Sequence, residues 1–197
     1  MSKRTATIKR KTKETDIELT LDLDGAGKVD AKTGVGFLDH MLDHLGKHSL
    51  TDITVRAGGD LEVDDHHTVE DVAICLGEAL AKALGDKAGI RRYGWASVPM
   101  EDALADVSLD LSGRPAVVFN VSFVGPKIGT FDVQLIEEFL RRFAATAGMN
   151  LHVNVPYGVN DHHIAEAIFK AVAQALRTAK SPDPDRSGEV PSTKGTL

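Results

Sequence analysis

Two hexapeptides carry the metal-ligating residues of this sequence. Asp65-His66-His67-Thr68-Val69-Glu70 returns about a hundred residues later as Asp161-His162-His163-Ile164-Ala165-Glu166. Both read Asp-His-His-x-x-Glu, and both open an apolar run with helical spacing. Positions i and i+4 of a helix share a face. His66 and Glu70 can therefore reach one ion, and so can His162 and Glu166. The second histidine of each pair, His67 or His163, sits about 100° further round the helix and can reach a different ion. Two such helices packed together predict two metal sites that exchange ligands. Asp65 and Asp161 read as N-caps, and an acidic first turn suits the helix dipole. Capping does not account for two adjacent histidine pairs, which use four of the eight histidines in the chain.

The remaining histidines complete the donor sets. His40, His44 and His48 follow i, i+4, i+8 spacing along one helix face, and His152 lies in a strand-like run. A balanced assignment puts His66, Glu70, His163 and His152 around one ion. The other takes His162, Glu166, His67 and His40. Three imidazoles and a carboxylate suit Mn²⁺, Fe²⁺, Co²⁺, Ni²⁺ or Zn²⁺. Four protein ligands on a six-coordinate ion leave room for substrate, as Lewis-acid catalysis requires. Imidazole must be neutral to ligate, so activity is expected to fail below about pH 6.

The elements that must position these groups alternate between strand and helix periodicity. Strands are expected over 5–11 and 16–23, with Ile17, Leu19, Leu21 and Leu23 on one face. Asp24-Gly25-Ala26-Gly27 is a turn. A helix from Phe37 carries the stripe Phe37, Leu38, Met41, Leu42 and Leu45. A strand over 52–56, a Gly58-Gly59 turn and the first Asp-His-His helix (66–84) follow, with Gly85 as C-cap. The order then repeats. Strands are expected over 93–100, 103–111 and 116–123, a helix over 132–148, a strand over 150–156 and the second Asp-His-His helix over 162–179. Phe37 to His66 spans 29 residues and Phe131 to His162 spans 31. The pattern reads as an internal duplication with an α+β fold. Each half is a mostly antiparallel sheet with two helices on one face. The halves are bounded at 1–90 and 91–180, and 181–197 is an irregular tail.

Composition bounds the function. With 197 residues, a net charge of −6 and 42% hydrophobic residues, the chain reads as a soluble globular protein and not as a nucleic-acid binder. No run reaches the ~18 apolar residues of a membrane span, and the start lacks an apolar signal-peptide run. The lone Cys75 sits in an apolar helical pattern and fits a reducing cytoplasm. Spacing alone treats Glu14, in Thr12-Lys13-Glu14-Thr15, as a turn residue. It treats Arg92, Arg114, Lys170, Ser192 and Lys194 as surface groups that could hold a phosphate. Two other functions remain open at this level. One is a dinuclear metallohydrolase, which would need metals ~3.5–4 Å apart with a bridging ligand. The other is a metal-stapled assembly or storage protein without catalysis.

Over nearly its full length the chain resembles the imidazoleglycerol-phosphate dehydratase family. The carriers are Phe37-Leu38-Asp39-His40-Met41-Leu42, Asp65-His66-His67-Thr68-Val69-Glu70-Asp71, Ser112-Gly113-Arg114-Pro115, His163-Ile164-Ala165-Glu166-Ala167 and Pro191-Ser192-Thr193-Lys194-Gly195. The resemblance implies a lyase of histidine biosynthesis with two Mn²⁺ per subunit. It would dehydrate D-erythro-imidazole-glycerol 3-phosphate to imidazole-acetol phosphate. It also implies a homo-oligomer of 24 subunits with sites built at subunit contacts, and it supports the ligand pairing above. Glu14 becomes a substrate contact and the candidate base. Arg92, Arg114, Lys170, Ser192 and Lys194 become substrate contacts, mainly to the phosphate. His48 matches a substrate contact, and His44 lies in the same segment. The expected chemistry uses metal-bound ring nitrogens to favour loss of the C3 hydroxyl. Proton loss from C2 then gives an enol that becomes the ketone.

Overall fold

The computed structural model describes residues 3–186 and 188–197. Its first half runs β1 (Thr5–Lys11), β2 (Thr15–Asp22), β3 (Val29–Lys32), α1 (Gly36–Ser49), β4 (Asp52–Gly59) and α2 (His66–Leu84). The second runs β5 (Tyr93–Met100), β6 (Ala103–Asp110), β7 (Ala116–Asn120), a short β8 (Lys127–Ile128) and β9 (Phe131–Asp132) pair, α3 (Gln134–Ala147), β10 (Asn150–Tyr157) and α4 (Asp161–Lys180). The tail forms no further helix or strand among the described residues.

The two halves share one topology. The first sheet has the order β1-β2-β4-β3 and the second β5-β6-β10-β7. In each, only the last-ordered strand pairs parallel with its neighbour. Registers match as well. Leu19 of β2 faces Val55 of β4 as Val107 of β6 faces Val153 of β10. Alternation sends Ile17, Leu19 and Leu21 inward on β2, and Ala105, Val107 and Leu109 inward on β6. The α+β architecture with a duplicated half is thus as expected.

The helices fill the layer between the sheets. Helix α2 lies on β1 and β2, and α4 on β5 and β6. Across the middle, α2 packs on α3 and α1 on α4. Phe139, Phe143, Leu42 and Leu76 are among the buried side chains of this layer. Close approach is made possible by missing side chains. A Cβ at Gly77 of α2 would collide with Thr146 and the Phe143 carbonyl of α3, and one at Gly94 of β5 would collide with the Ala175 carbonyl of α4.

Some expected boundaries move. The strand β4 continues through Gly58 and Gly59, because both pair with the start of β2. Asp132 belongs to β9 with Phe131, so α3 starts at Gln134 and not at 132. The edge strand β3 and the β8–β9 pair escape periodicity because they are too short to show it. Helices α1 and α3 both end in a left-handed C-cap, at Leu50 and Gly148.

Candidate functional site

The start of α4 sets the first cluster. Its N-cap is Asn160, whose side-chain oxygen accepts from the backbone N–H of His162 at 3.0 Å and His163 at 3.4 Å. Asp161 is the first helical residue and accepts from the N–H groups of Val124 and Gly125. At α2, Asp64 accepts from the N–H of His66 at 2.8 Å, while Asp65 makes no capping bond. Asp65 therefore holds the N-cap position without making a capping bond, and Asp161 lies one residue inside its helix. In α4 the helix begins one residue earlier than periodicity suggested, and in α2 the preceding aspartate does the work.

One turn into α4, Glu166 is nearly buried. Its Oε1 lies 3.0 Å from His40 Nε2 of α1 and 3.0 Å from His162 Nε2. His44 Nε2 lies 3.3 Å from His40 Nε2. Donor atoms around an octahedral ion with ~2.1 Å bonds stand about 3 Å apart, so this spacing fits a divalent metal. The second carboxylate oxygen, Oε2, accepts from Lys170 Nζ at 2.6 Å. Burial alone would raise the Glu166 carboxyl. Hydrogen bonds from Lys170, His40 and His162 overcome it and hold the group well below the usual carboxylate range. His48 stacks on His44 at 5.8 Å, and burial lowers the basicity of both rings.

A second cluster forms between α2 and α3. His66, Glu70 and Glu138 place their donor atoms within 4.8 Å of one another. Glu70 Oε1 lies 3.0 Å from Arg142 Nε, which also donates to Glu138 at 2.6 Å. Glu138 and Arg142 hold, on α3, the places that His40 and His44 hold on α1. Helical spacing alone gives Glu138 and Arg142 no special signal.

The other expected ligands lie apart. His67 turns its Nδ1 to Asp60 at 3.0 Å. His163 turns its Nδ1 to Asp102 at 2.5 Å. His152 stands on the exposed face of the second sheet, near Trp95 and Ser108. Within one chain the two Asp-His-His helices take other helix partners, α2 packing on α3 and α4 on α1. A single chain brings together His40, His162 and Glu166, and separately His66 and Glu70. Among the described residues neither cluster includes His67, His152 or His163.

Glu14 projects from the β1–β2 turn. Thr12 Oγ1 accepts from the N–H groups of Glu14 and Thr15. Thr15 donates to the buried Asp71 of α2 at 2.5 Å, and Arg10 donates to the same carboxylate at 2.8 Å. The turn is thereby tied to the helix that carries His66 and His67, and Glu14 Oε2 lies 3.9 Å from His67 Nδ1.

The basic residues fall in two places. Arg92, Arg114, Ser192 and Lys194 line one groove of about 480 Å³, together with Arg186 and Tyr93. Lys170 stands instead with Glu166. Arg92 is buried, and its guanidinium grips Asp110 through Nε at 2.6 Å and Nη2 at 2.9 Å. Its Nη1 donates to the Pro191 carbonyl at 2.7 Å, which ties the tail to the groove wall. Cys75 is buried, and burial pushes its thiol up to about 12, so it is no nucleophile.

Comparison with known proteins agrees over nearly the whole chain. The family model for imidazoleglycerol-phosphate dehydratase matches residues 33–176. The imidazoleglycerol-phosphate dehydratases of Cereibacter sphaeroides and Rhodopseudomonas palustris are each similar at 59% identity over 194 residues. The match covers 98% of this chain in both cases, with 100% of the first relative and 98% of the second. The crystal structure of the Staphylococcus aureus enzyme superposes with a TM-score of 0.83 at 37% identity, covering 91% of this chain and 99% of that one. The Pyrococcus furiosus enzyme, solved in complex with (S)-C348, gives 0.83 at 38% identity over 96% and 100% of the two chains.

Proposed function

The chain belongs to the imidazoleglycerol-phosphate dehydratase family, and from that premise we propose that it dehydrates D-erythro-imidazole-glycerol 3-phosphate at a two-Mn²⁺ site. It is a hydro-lyase of histidine biosynthesis. The observation that carries the metal reading is the convergence of His40, His162 and Glu166 on one point, at donor spacings that suit a divalent ion.

His67 is the fourth ligand of that centre. His66 and Glu70 form the second, completed by His152 and His163. The outlying ligands come from neighbouring copies. Two features support this. Among the described residues, His67 and His163 turn to Asp60 and Asp102 and join neither cluster of their own chain. Exposed apolar residues also flank both, with Leu61 and Val63 before α2 and Tyr157 and Val159 before α4. An assembly of 24 subunits in the cytoplasm, as in the resemblance described above, accommodates such sharing.

Held by those residues, Mn²⁺ would supply positive charge for binding the imidazole ring and for departure of the C3 hydroxyl. The chain's own groups do the rest. Glu14 takes the C2 proton, so the bond broken at C2 and the hydroxide lost from C3 together make water. Arg92, Arg114, Ser192 and Lys194 hold the phosphate by charge-assisted hydrogen bonds. Lys170, His44 and His48 contact substrate beside Glu166. The test is to add Mn²⁺ to chelator-stripped protein with imidazole-glycerol phosphate and follow the ketone product. Metal binding without product would sink this function.

A further inference from the structure

The duplication places Asp102 and Glu14 at equivalent positions. Glu14 is the last residue before β2, and Asp102 is the last before β6. The two strands then correspond residue for residue in their buried faces. Each turn carboxylate faces the second histidine of its own half.

Their uses differ. Asp102 Oδ1 accepts from His163 Nδ1 at 2.5 Å, and its other oxygen accepts from the N–H groups of Val159 and Asn160 at 2.7 and 2.9 Å. Its carboxylate is fully engaged. Glu14 lies 3.9 Å from His67 Nδ1, beyond hydrogen-bond reach. The bond is made instead by Asp60, which follows β4 and lies 3.0 and 3.2 Å from that nitrogen. The residue after the pseudo-equivalent β10 is Gly158, so the second half has no counterpart of Asp60. A carboxylate can only accept, so each imidazole must carry its proton on Nδ1. In the neutral ring that leaves the Nε2 lone pair for a metal.

We propose that Asp102 and Asp60 are positioning residues that fix His163 and His67 with Nε2 ready to ligate, and that Asp60 thereby releases Glu14 for proton transfer. The idea rests on the metal and base roles given under Proposed function. One copy of the turn keeps the orienting task, and the other hands it to a neighbour and becomes free to act on substrate.

The test is Mn²⁺ titration of the chelator-stripped, full-length protein by electron paramagnetic resonance, with kcat and KM measured in parallel. Two tightly bound ions in the parent check the functional reading, and the differences between variants check this one. Asp102→Asn lets the amide donate to Nδ1, and affinity at one class of site is expected to fall roughly tenfold to a hundredfold. Asp60→Asn is expected to lose less affinity, because Glu14 moves in to hold His67. For the same reason its kcat drops while KM changes little. The double variant Asp60→Asn/Glu14→Gln is expected to lose affinity as severely as Asp102→Asn. Parent-like Mn²⁺ binding in Asp102→Asn would overturn the proposal. So would a double variant that binds no more weakly than Asp60→Asn alone.

Discussion

The guanidinium of Arg92 grips the carboxylate of Asp110 through two bonds and still reaches the Pro191 carbonyl with a third donor. Arg92 also carries a positive φ of 72°, held by its N–H to the Ala179 carbonyl and by Leu111 N–H to its own carbonyl. The residue thus joins the second sheet, the end of α4 and the tail. Arg92→Lys keeps the charge but loses the planar fork. It is expected to cost about 2 kcal/mol of substrate binding, roughly a thirtyfold rise in KM, and to make the tail more sensitive to limited proteolysis. An unchanged KM with an equally protected tail would show that the fork has no role in closing the groove.

Glu166 Oε1 is shared between two imidazoles of the first cluster, so Glu166→Gln removes the charge at its centre. The variant is expected to bind about one Mn²⁺ fewer per subunit, while the cluster at His66 and Glu70 still loads. Because the missing donors are assigned to neighbouring copies, chelation of the parent is also expected to loosen the assembly. Metal counting by mass spectrometry and sedimentation velocity with and without chelator read the two outcomes.

Glu14→Gln is expected to lower kcat by roughly a hundredfold to ten-thousandfold with both ions still bound. Asp71→Asn weakens the buried hydrogen bonds to Thr15 and Arg10 that fix the turn. It should lower kcat by less, with Mn²⁺ affinity little changed. Steady-state kinetics at saturating Mn²⁺ separates the two, and near-normal turnover in Glu14→Gln would remove it as the base.

Lys180 is buried at the end of α4, where its ammonium donates to the carbonyls of Leu23 and Leu50. Burial lowers its pKa to about 8 from an ordinary 10.5. Between those values the unfolded chain binds more protons than the folded one, so this group makes stability rise with pH across that window. The full rise corresponds to at most about 3 kcal/mol. In Lys180→Met this rise is absent. Urea denaturation of both proteins at pH 7.5 and 10 measures the difference, and parallel pH dependence in the two would refute the assignment.

Much of this molecule was legible before any coordinates. Ile17, Leu19 and Leu21 alternate cleanly, and the stripe from Leu38 to Leu45 is helical, so β2 and α1 were visible as patterns. The repeated Asp-His-His-x-x-Glu exposed the duplication and the pairing of His162 with Glu166. Tertiary neighbours were not legible. Nothing in the spacing says that Asp60 faces His67, that Asp102 faces His163, or that Glu138 and Arg142 stand beside Glu70, because those contacts join separate elements. The capping bonds come from Asp64 and Asn160, one residue before the expected aspartates, because Asp64, Asp65, Asn160 and Asp161 are all competent cap types. Only backbone geometry chooses among them.

The crossed pairing of the helices, α1 with α4 and α2 with α3, has a consequence for unfolding. Neither half owns a complete interior, because the inner faces of its helices are covered by the other half. Lys180, from the second half, also anchors two carbonyls of the first. Despite their repeated topology, the halves of the metal-free chain are expected to melt together in one cooperative transition. A cut in the connection near Gly89 is expected to leave each fragment with an exposed apolar helix face that only the other fragment covers.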